Sequence, residues 1–201
     1  MKIRAWISAQ RLACLATALL LQACGTSPPT RYWALSEPAA TTVEKTGHAL
    51  VALGPLMLAD YLQRPQIVVR ADDERLKIAE FERWAEAPDR AIARWLARDV
   101  DARLAVATVV EATALAATPD YRLRGQVAQW DVDARSNAVL VVQWEVVDRD
   151  GQSVVAMHSS RYAIPVARAD DYADVVRGLN GTLAAFGDEI IAELGRTVAA
   201  H

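Results

Sequence analysis

The amino terminus carries an export-signal pattern, and this pattern limits how the rest of the chain can be held together. Lys2, Arg4 and Arg11 supply positive charge, and the apolar stretch 12–21 leads to Cys24 through small residues. This order predicts a signal peptide over residues 1–23 that is removed on export. Ten apolar residues rise only about 15 Å as a helix, half of a bilayer's hydrocarbon core, so a stable transmembrane helix is not expected.

The residues around the cleavage point also indicate a lipid anchor. Leu21-Gln22-Ala23-Cys24, followed by Gly25, resembles the lipobox of bacterial lipoproteins. The resemblance implies a diacylglyceryl group on the Cys24 thiol and an N-acyl chain, such as palmitate, on the new amino terminus. Several chains anchor a protein durably because each buried methylene contributes about 0.8 kcal/mol. Residues 24–30, with Pro28-Pro29, then form a lipidated, extended tether; the alternative is an ordinary signal peptide with a cysteine nearby.

Cysteine use and charge restrict both the fold and its partners. Cys14 leaves with the signal and Cys24 is lipidated, so no disulfide, metal site or thiol nucleophile is expected and the apolar core must stabilise the domain alone. Removing the signal changes the formal net charge from −3 to −6, with 19 basic against 25 acidic residues. An acidic chain without a basic run argues against nucleic acid as a partner and against electrostatic docking on anionic lipid.

Hydrophobic periodicity predicts an α/β fold. Alternating apolar residues indicate about seven short strands; the last three, from Tyr121 to Ile164, form a meander with a bulge near Val127 and Ala128. A strand over 49–53 is expected to stop at Gly54-Pro55. Amphipathic helices are predicted from Pro88 and over 171–198. We therefore expect a single domain with a mixed, mainly antiparallel sheet packed against two main helices.

Catalytic motifs are absent from the sequence. No nucleophile elbow, phosphate-binding glycine loop or zinc-protease motif occurs. His158 is followed by Ser159 and Ser160, but neighbouring strand residues point to opposite faces. The run Asp72-Asp73-Glu74 is typical of a solvated turn. We therefore predict no enzyme activity, no metal and no cofactor; an anchored periplasmic hydrolase that uses His158 or Asp73 is the remaining enzymatic alternative.

Three segments resemble one family of lipoproteins. They are Arg31-Tyr32-Trp33-Ala34-Leu35, the stretch Tyr61–Arg70, and Arg83–Pro88 leading into the helix through Ala91, Arg94 and Leu96. In this order they resemble the PqiC (YmbA-like) lipoproteins, the auxiliary component of ABC-type, Mce-containing transport systems. The resemblance covers residues 31–201 and is most specific at 61–70 and 83–96.

The resemblance implies a non-catalytic accessory subunit. It would be attached to the periplasmic face of the outer membrane, receive the end of an Mce-domain tunnel protein (PqiB-like) served by a membrane permease, and support phospholipid transport and envelope integrity. Gly25 after the cysteine is compatible with outer-membrane sorting in that class, and the resemblance implies a homo-oligomer that can be ring-like. A lipoprotein that assembles the envelope without lipid passage shares these features. The candidate partner or subunit contacts are Trp33, Tyr61, Arg64, Gln66 and Trp84.

Overall fold

Eight strands form one mixed sheet, and two helices pack against it. The computed structural model describes residues 27–38, 42–114 and 117–199, so the predicted signal peptide and Cys24 lie outside the described residues. The strands are β1 (Arg31–Trp33), β2 (Ala49–Leu58), β3 (Gln66–Arg70), β4 (Leu76–Trp84), β5 (Ala107–Glu111), β6 (Tyr121–Val132), β7 (Asn137–Asp148) and β8 (Ser153–Pro165). The helices are α1 (Pro88–Arg103) and α2 (Tyr172–Ala199), and short 3-10 turns lie at Asp60–Leu62 and Ala112–Ala114.

Strand β6 organises the sheet. It pairs with β7 along its whole length, so β2 and β3 share its other edge. β2 accompanies β6 from Val51 opposite Tyr121 to Leu58 opposite Val127, and β3 reaches it where Val69 lies opposite Val132. The 3-10 turn between β2 and β3 therefore lies at a break along one edge of β6.

The α/β class and the mixed sheet are confirmed, whereas the expected antiparallel majority is wrong for the strand pairings. Four pairings are parallel (β1–β4, β2–β5, β2–β6 and β3–β6), and three are antiparallel (β3–β4, β6–β7 and β7–β8). The β6–β7–β8 meander is confirmed. Parallel pairs join strands that are distant in sequence, and hydrophobic alternation carries no information about which strands will meet.

The structure corrects one strand end and confirms a bulge. β2 does not stop at Gly54-Pro55 but continues to Leu58, because Gly54 takes a φ of 108° and the register with β6 shifts between Leu53 and Leu56. The β6–β7 register shifts between Val127 and Gln129, where the bulge was predicted. The extension of β2 matters because its last residues form a wall of the groove described below.

The core lies between the sheet and the two helices, which contact each other. α1 begins with Pro88 at a position where a missing N–H is harmless, and it buries Ile92, Leu96 and Val100. α2 buries an apolar stripe on β7 and β8: Val175, Leu179, Leu183, Phe186, Ile190 and Leu194. Within the described ranges, neither helix is long and apolar enough to cross a membrane.

Candidate contact groove

A groove of about 890 Å³ opens where β2 ends, β3 begins and β4 passes into α1. Its walls combine apolar side chains from all three places with a few charged groups at the rim. The residues that form it are Pro55, Leu56, Met57, Leu58, Asp60, Gln63, Arg64, Pro65, Trp84, Ala85, Glu86, Ala87, Pro88, Asp89 and Gln126. Two of the five predicted contact residues, Arg64 and Trp84, lie in this groove.

Arg64 enters the groove without a protein partner. Its Nε is buried and makes no hydrogen bond, and its guanidinium forms no ion pair with any residue in the described ranges. The neighbouring loop is fixed by other groups: Gln63 Nε2 donates to the Leu58 carbonyl at 2.8 Å, and the Trp84 amide donates to the Pro65 carbonyl at 2.6 Å. The loop therefore positions the Arg64 guanidinium and leaves it able to bind an acceptor from outside.

Three carboxylates share the groove with this arginine. Asp60, Glu86 and Asp89 all line the groove. Glu86 is paired with Arg94 of α1, and that hydrogen bond raises the pKa of Arg94. In the described ranges, the Asp60 carboxylate accepts only a long hydrogen bond of 3.4 Å from Gln63 Nε2. The groove is thus lined by apolar side chains, an arginine without a partner in the described residues, and carboxylates, which suits a segment that carries apolar and charged side chains together.

Trp84 belongs to the core as well as to the groove. Its ring stacks on Trp130 with centroids 4.9 Å apart and planes 17° from parallel, and Trp130 Nε1 donates to the Leu179 carbonyl of α2 at 3.4 Å. Trp84 is 7% exposed. A rigid aromatic wall backed by a helix keeps the groove open, so Trp84 supports the shape of the groove more than it offers a free contact.

Comparison with known proteins identifies the family of this chain. The sequence model of one family, described as ABC-type transport auxiliary lipoprotein component, matches residues 33–191. The chain belongs to this family of auxiliary lipoproteins. The resemblance to the PqiC (YmbA-like) lipoproteins is thereby confirmed, and the protein is an auxiliary component of an ABC-type transport system. No curated protein matches the sequence.

Solved structures agree with the fold. An uncharacterised protein superposes on this chain with a TM-score of 0.71 at 18% identity, covering 83% of this chain and 99% of its own. A protein of Xanthomonas campestris, assigned to the family model DUF330, gives a TM-score of 0.63 at 20% identity and covers 83% of this chain and 96% of its own. Similarity at these identities shows the fold of the auxiliary lipoprotein.

Tyr61, the first residue of the family-like stretch 61–70, takes part in a hydrogen-bond network inside the fold. Its hydroxyl donates to Asp131 Oδ2 at 2.7 Å, and Asp131 is completely buried. Arg70 Nε at 3.1 Å and Gln129 Nε2 at 2.7 Å donate to the same carboxylate. Burial and the bond to Asp131 raise the pKa of Tyr61 far above its usual range. In the auxiliary lipoprotein, Tyr61 therefore holds the turn before β3 against β6.

Trp33 and Gln66 also have neighbours inside the fold. Trp33 Nε1 donates to Glu82 Oε2 at 2.6 Å, and Arg31 Nε donates to the other oxygen of Glu82 at 2.8 Å. This buried carboxylate fastens β1 to β4. Gln66 is half-buried at the start of β3 and lies opposite Arg83 of β4. The structure thus separates the five candidates: Arg64 and Trp84 lie in the groove, and the others lie outside it.

In the described residues, the side chains named in the hydrolase alternative do not form a serine–histidine pair. His158 and Ser160 share a face of β8, yet both bind Glu189 of α2 rather than each other, at 3.1 Å and 2.8 Å. Ser160 also accepts a hydrogen bond from Trp144 Nε1 at 3.2 Å, and Tyr162 donates to Glu189. A serine nucleophile needs the histidine as its proton acceptor, and here the carboxylate takes that place. This cluster joins the edge strand to α2.

The acidic run Asp72–Glu74 forms the turn between β3 and β4, as predicted. Asp72 Oδ1 accepts from the backbone amides of Glu74 at 3.2 Å and Arg75 at 2.7 Å, and the Arg75 side chain binds the same carboxylate. The hydrogen bonds from Arg75 lower the pKa of Asp72. No group of three or more ligand-type side chains that could hold a metal occurs in the part of the chain that the structure describes.

Sequence reasoning missed the apolar half of the groove. Met57 is 63% exposed at the end of β2, and Leu56 and Pro55 beside it line the groove. A strand ending at Gly54-Pro55 would have placed these residues in a loop. An available signal was the apolar run 56–58 after Gly54, which continues the strand if the glycine is read as a bulge.

Proposed function

We propose that this auxiliary lipoprotein is anchored to the periplasmic face of the outer membrane by lipid on Cys24. It would serve as a non-catalytic accessory subunit of an Mce-type (Pqi-like) intermembrane phospholipid transport system and support envelope integrity. Family membership supports the transport role. The observation that carries the docking part of the proposal is the unpartnered guanidinium of Arg64 in an apolar groove.

In this proposal each part of the chain has a mechanical task. The acyl chains confine the protein to one surface, and residues 24–30 set how far the folded part can move from it. The groove then receives a segment of the Mce-domain tunnel protein, whose carboxylate would pair with Arg64 while apolar side chains cover Met57 and Leu56. A ring-like homo-oligomer would present several such grooves to a tubular partner.

Charge reversal at Arg64 tests the docking step. Arg64→Glu should weaken co-purification with the tunnel protein by about tenfold or more, since a charge-assisted hydrogen bond contributes about 1.5–3 kcal/mol. The melting temperature should stay nearly unchanged because the native Arg64 guanidinium has no partner in the described part of the fold. Arg98→Glu is the matched control: it makes the same charge change on α1 at an exposed ion pair with Glu37.

Two results would contradict the proposal. Equal loss of co-purification in Arg64→Glu and Arg98→Glu would show a general charge effect rather than docking in the groove. Unfolding of Arg64→Glu without a separate binding defect would assign Arg64 to folding. The anchor is tested independently by mass spectrometry of the mature protein, where an unmodified thiol at Cys24 would exclude lipid anchoring. An adjacent gene pair for an Mce-domain protein and a permease would identify the transport system.

A further inference from the structure

Two hairpin tips lie together at one end of the sheet. The β3–β4 tip covers residues 71–75, and the β6–β7 tip covers 133–136. β3 and β6 run parallel, with Val69 opposite Val132, so both strands end at the same side of the molecule. The groove with Arg64 lies at the other end of β3 and β4, because it is formed by the residues before β3 and after β4.

The direction of β1 indicates the side from which the chain enters the fold. β1 is parallel to β4, and Arg31 lies opposite Glu82. Moving backwards along β1 from Arg31 is therefore equivalent to moving from Glu82 toward Leu76, where β4 begins. A tether that continues the direction of β1 backwards from Arg31 would therefore run along β4 toward the hairpin end and away from the groove.

The length of the tether matches this distance. The seven residues 24–30 span at most about 24 Å when extended. The stretch of β4 from Glu82 back to Leu76 is about 20 Å long at the usual strand rise. Lipid on Cys24 would therefore lie level with the hairpin tips when the tether continues the direction of β1.

The hairpin end exposes apolar side chains where a membrane would meet it. Leu76 and Ile78 are 38% and 42% exposed, and they lie on the same face of β4 directly after the tip. Two of the five large hydrophobic residues that are exposed in the described ranges thus lie in β4 next to this tip. Side chains of this kind enter the boundary between headgroups and acyl chains, where burial of their apolar area is favourable.

Between the two tips lies a polar concavity of about 360 Å³ that contains charges of both signs. Arg135 and Arg161 make no side-chain hydrogen bond or ion pair with the described residues, and neither does Asp73. The oxygens of Asp133, in contrast, accept from the turn that it closes, including the Arg135 and Asn137 amides at 2.9 and 2.8 Å. Free guanidinium groups suit a phosphate, and the free carboxylate suits an ammonium group, so the concavity matches a zwitterionic phospholipid headgroup.

We propose that the hairpin end of the sheet, defined by residues 71–78 and 133–136 with Arg161, is a membrane-contact surface that lies on a zwitterionic phospholipid leaflet. This inference rests on the anchoring by Cys24 in the proposed function and adds an orientation to it. Leu76 and Ile78 beside the β3–β4 tip enter the interface, the concavity holds headgroups, and the groove with Arg64 faces the periplasm, where a partner can reach it. Because the charged groups at this end are of both signs, the contact does not require anionic lipid.

Depth-dependent fluorescence quenching tests the orientation. The mature, lipidated protein has its Cys24 thiol consumed by lipid, so a cysteine introduced elsewhere is a unique labelling site. Ile78→Cys and Met57→Cys carry the same environment-sensitive fluorophore, and each protein is reconstituted on phosphatidylcholine vesicles containing doxyl-labelled phosphatidylcholine. Both positions are exposed, so labelling should leave the fold intact, and an unchanged melting temperature verifies this.

We expect the fluorophore at position 78 to shift to the blue and to lose most of its emission to the quencher, while the fluorophore at 57 remains close to its value in buffer. Equal quenching at both positions, or stronger quenching at 57, would overturn the orientation. Arg135→Glu combined with Arg161→Glu should reduce quenching at 78 and leave co-purification with the tunnel protein intact. Unchanged quenching would remove the headgroup contact from the proposal.

The two proposals can fail separately. Loss of specific co-purification in Arg64→Glu concerns docking, whereas the pattern of quenching concerns the surface that meets the bilayer. If the protein leaves the vesicles because Cys24 carries no lipid, both the anchoring and this inference are overturned. If it remains anchored and the quenching is reversed, only the orientation is wrong.

Discussion

Removal of the Asp131 carboxylate should show how much the family-like stretch 61–70 contributes to the stability of the fold. Asp131 is completely buried on β6 and accepts hydrogen bonds from Tyr61, Arg70 and Gln129. Tyr61 and Arg70 flank the stretch, and Arg70 Cζ also lies 5.8 Å from the centre of the Tyr61 ring. Asp131→Ala would leave all three donors without their shared acceptor.

The expected loss of stability follows from this geometry. Removing one partner of a buried ion pair costs about 3–5 kcal/mol, because the other charge remains uncompensated. The Arg70 side chain is 23% exposed and can regain some water, which favours the lower end, about 3 kcal/mol. Tyr61→Phe removes a single hydrogen bond and should cost about 1 kcal/mol. For a chain of this size these values correspond to melting temperatures lower by about 6–12 °C and 2–4 °C.

Thermal unfolding of both single variants and of the double variant provides the measurement. The double variant should lose less stability than the two single losses added together, because the variants remove the same hydrogen bond. Strictly additive losses, or an Asp131→Ala variant within about 1 kcal/mol of the parent, would refute the network. Tyr61→Phe should also keep normal co-purification with the tunnel protein; a binding defect at unchanged stability would return Tyr61 to the contact surface.

Two further predictions concern helix and strand packing. Hydrogen bonds to a backbone carbonyl and to Glu189 raise the pKa of His158, so its contribution to stability is complete below the unfolded value of about 6.5 and is lost as the pH rises through the folded value. His158→Phe should therefore lower the melting temperature more at about pH 5 than at about pH 9. Because the side chain is partly exposed, the loss in free energy of unfolding should differ between the two pH values by well under 1 kcal/mol. An equal effect at both pH values would contradict this. Gly125→Ala should destabilise the β6–β7 pair, since the new Cβ would lie 2.3 Å from the Gln143 carbonyl oxygen. Gly195→Ala on α2, where the new Cβ has nothing within 4 Å, should instead stabilise the protein by about 0.5–1 kcal/mol. Thermal unfolding measures both variants, and stability changes of the same sign would refute the packing argument.

Elements with a strong local pattern were predictable. α1 and α2 follow from apolar residues at spacings of three and four, with Pro88 marking the start of the first helix. The β6–β7–β8 meander follows from alternation and turn residues, and the bulge after Val127 follows from a change in the phase of that alternation. Family membership was also visible, because short motifs in order along the chain are local information.

The groove could be predicted only in part. Arg64 and Trp84 belong to segments that the sequence singled out, and the antiparallel β3–β4 pair brings them together. The wall from β2, however, depends on β2 and β3 meeting along one edge of β6. The same arrangement buries Asp131 beside Tyr61, so the Tyr61 hydroxyl, another predicted contact, binds inside the fold instead of a partner. Whether a tyrosine hydroxyl or an arginine is free depends on neighbours about 60–70 positions away, and no local pattern encodes them.

By itself the sequence determined the family and the fold class, and it predicts export and a lipid anchor at Cys24, because each depends on residue types at short spacing. Only the tertiary structure decided that the parallel pairings of β2 and β3 with β6, together with the antiparallel β3–β4 pair, form a groove, and that Arg64 remains unpaired there. The physical reason is that hydrophobic burial fixes which faces turn inward, whereas strand order depends on long-range backbone pairing that many sequences with the same pattern could satisfy differently.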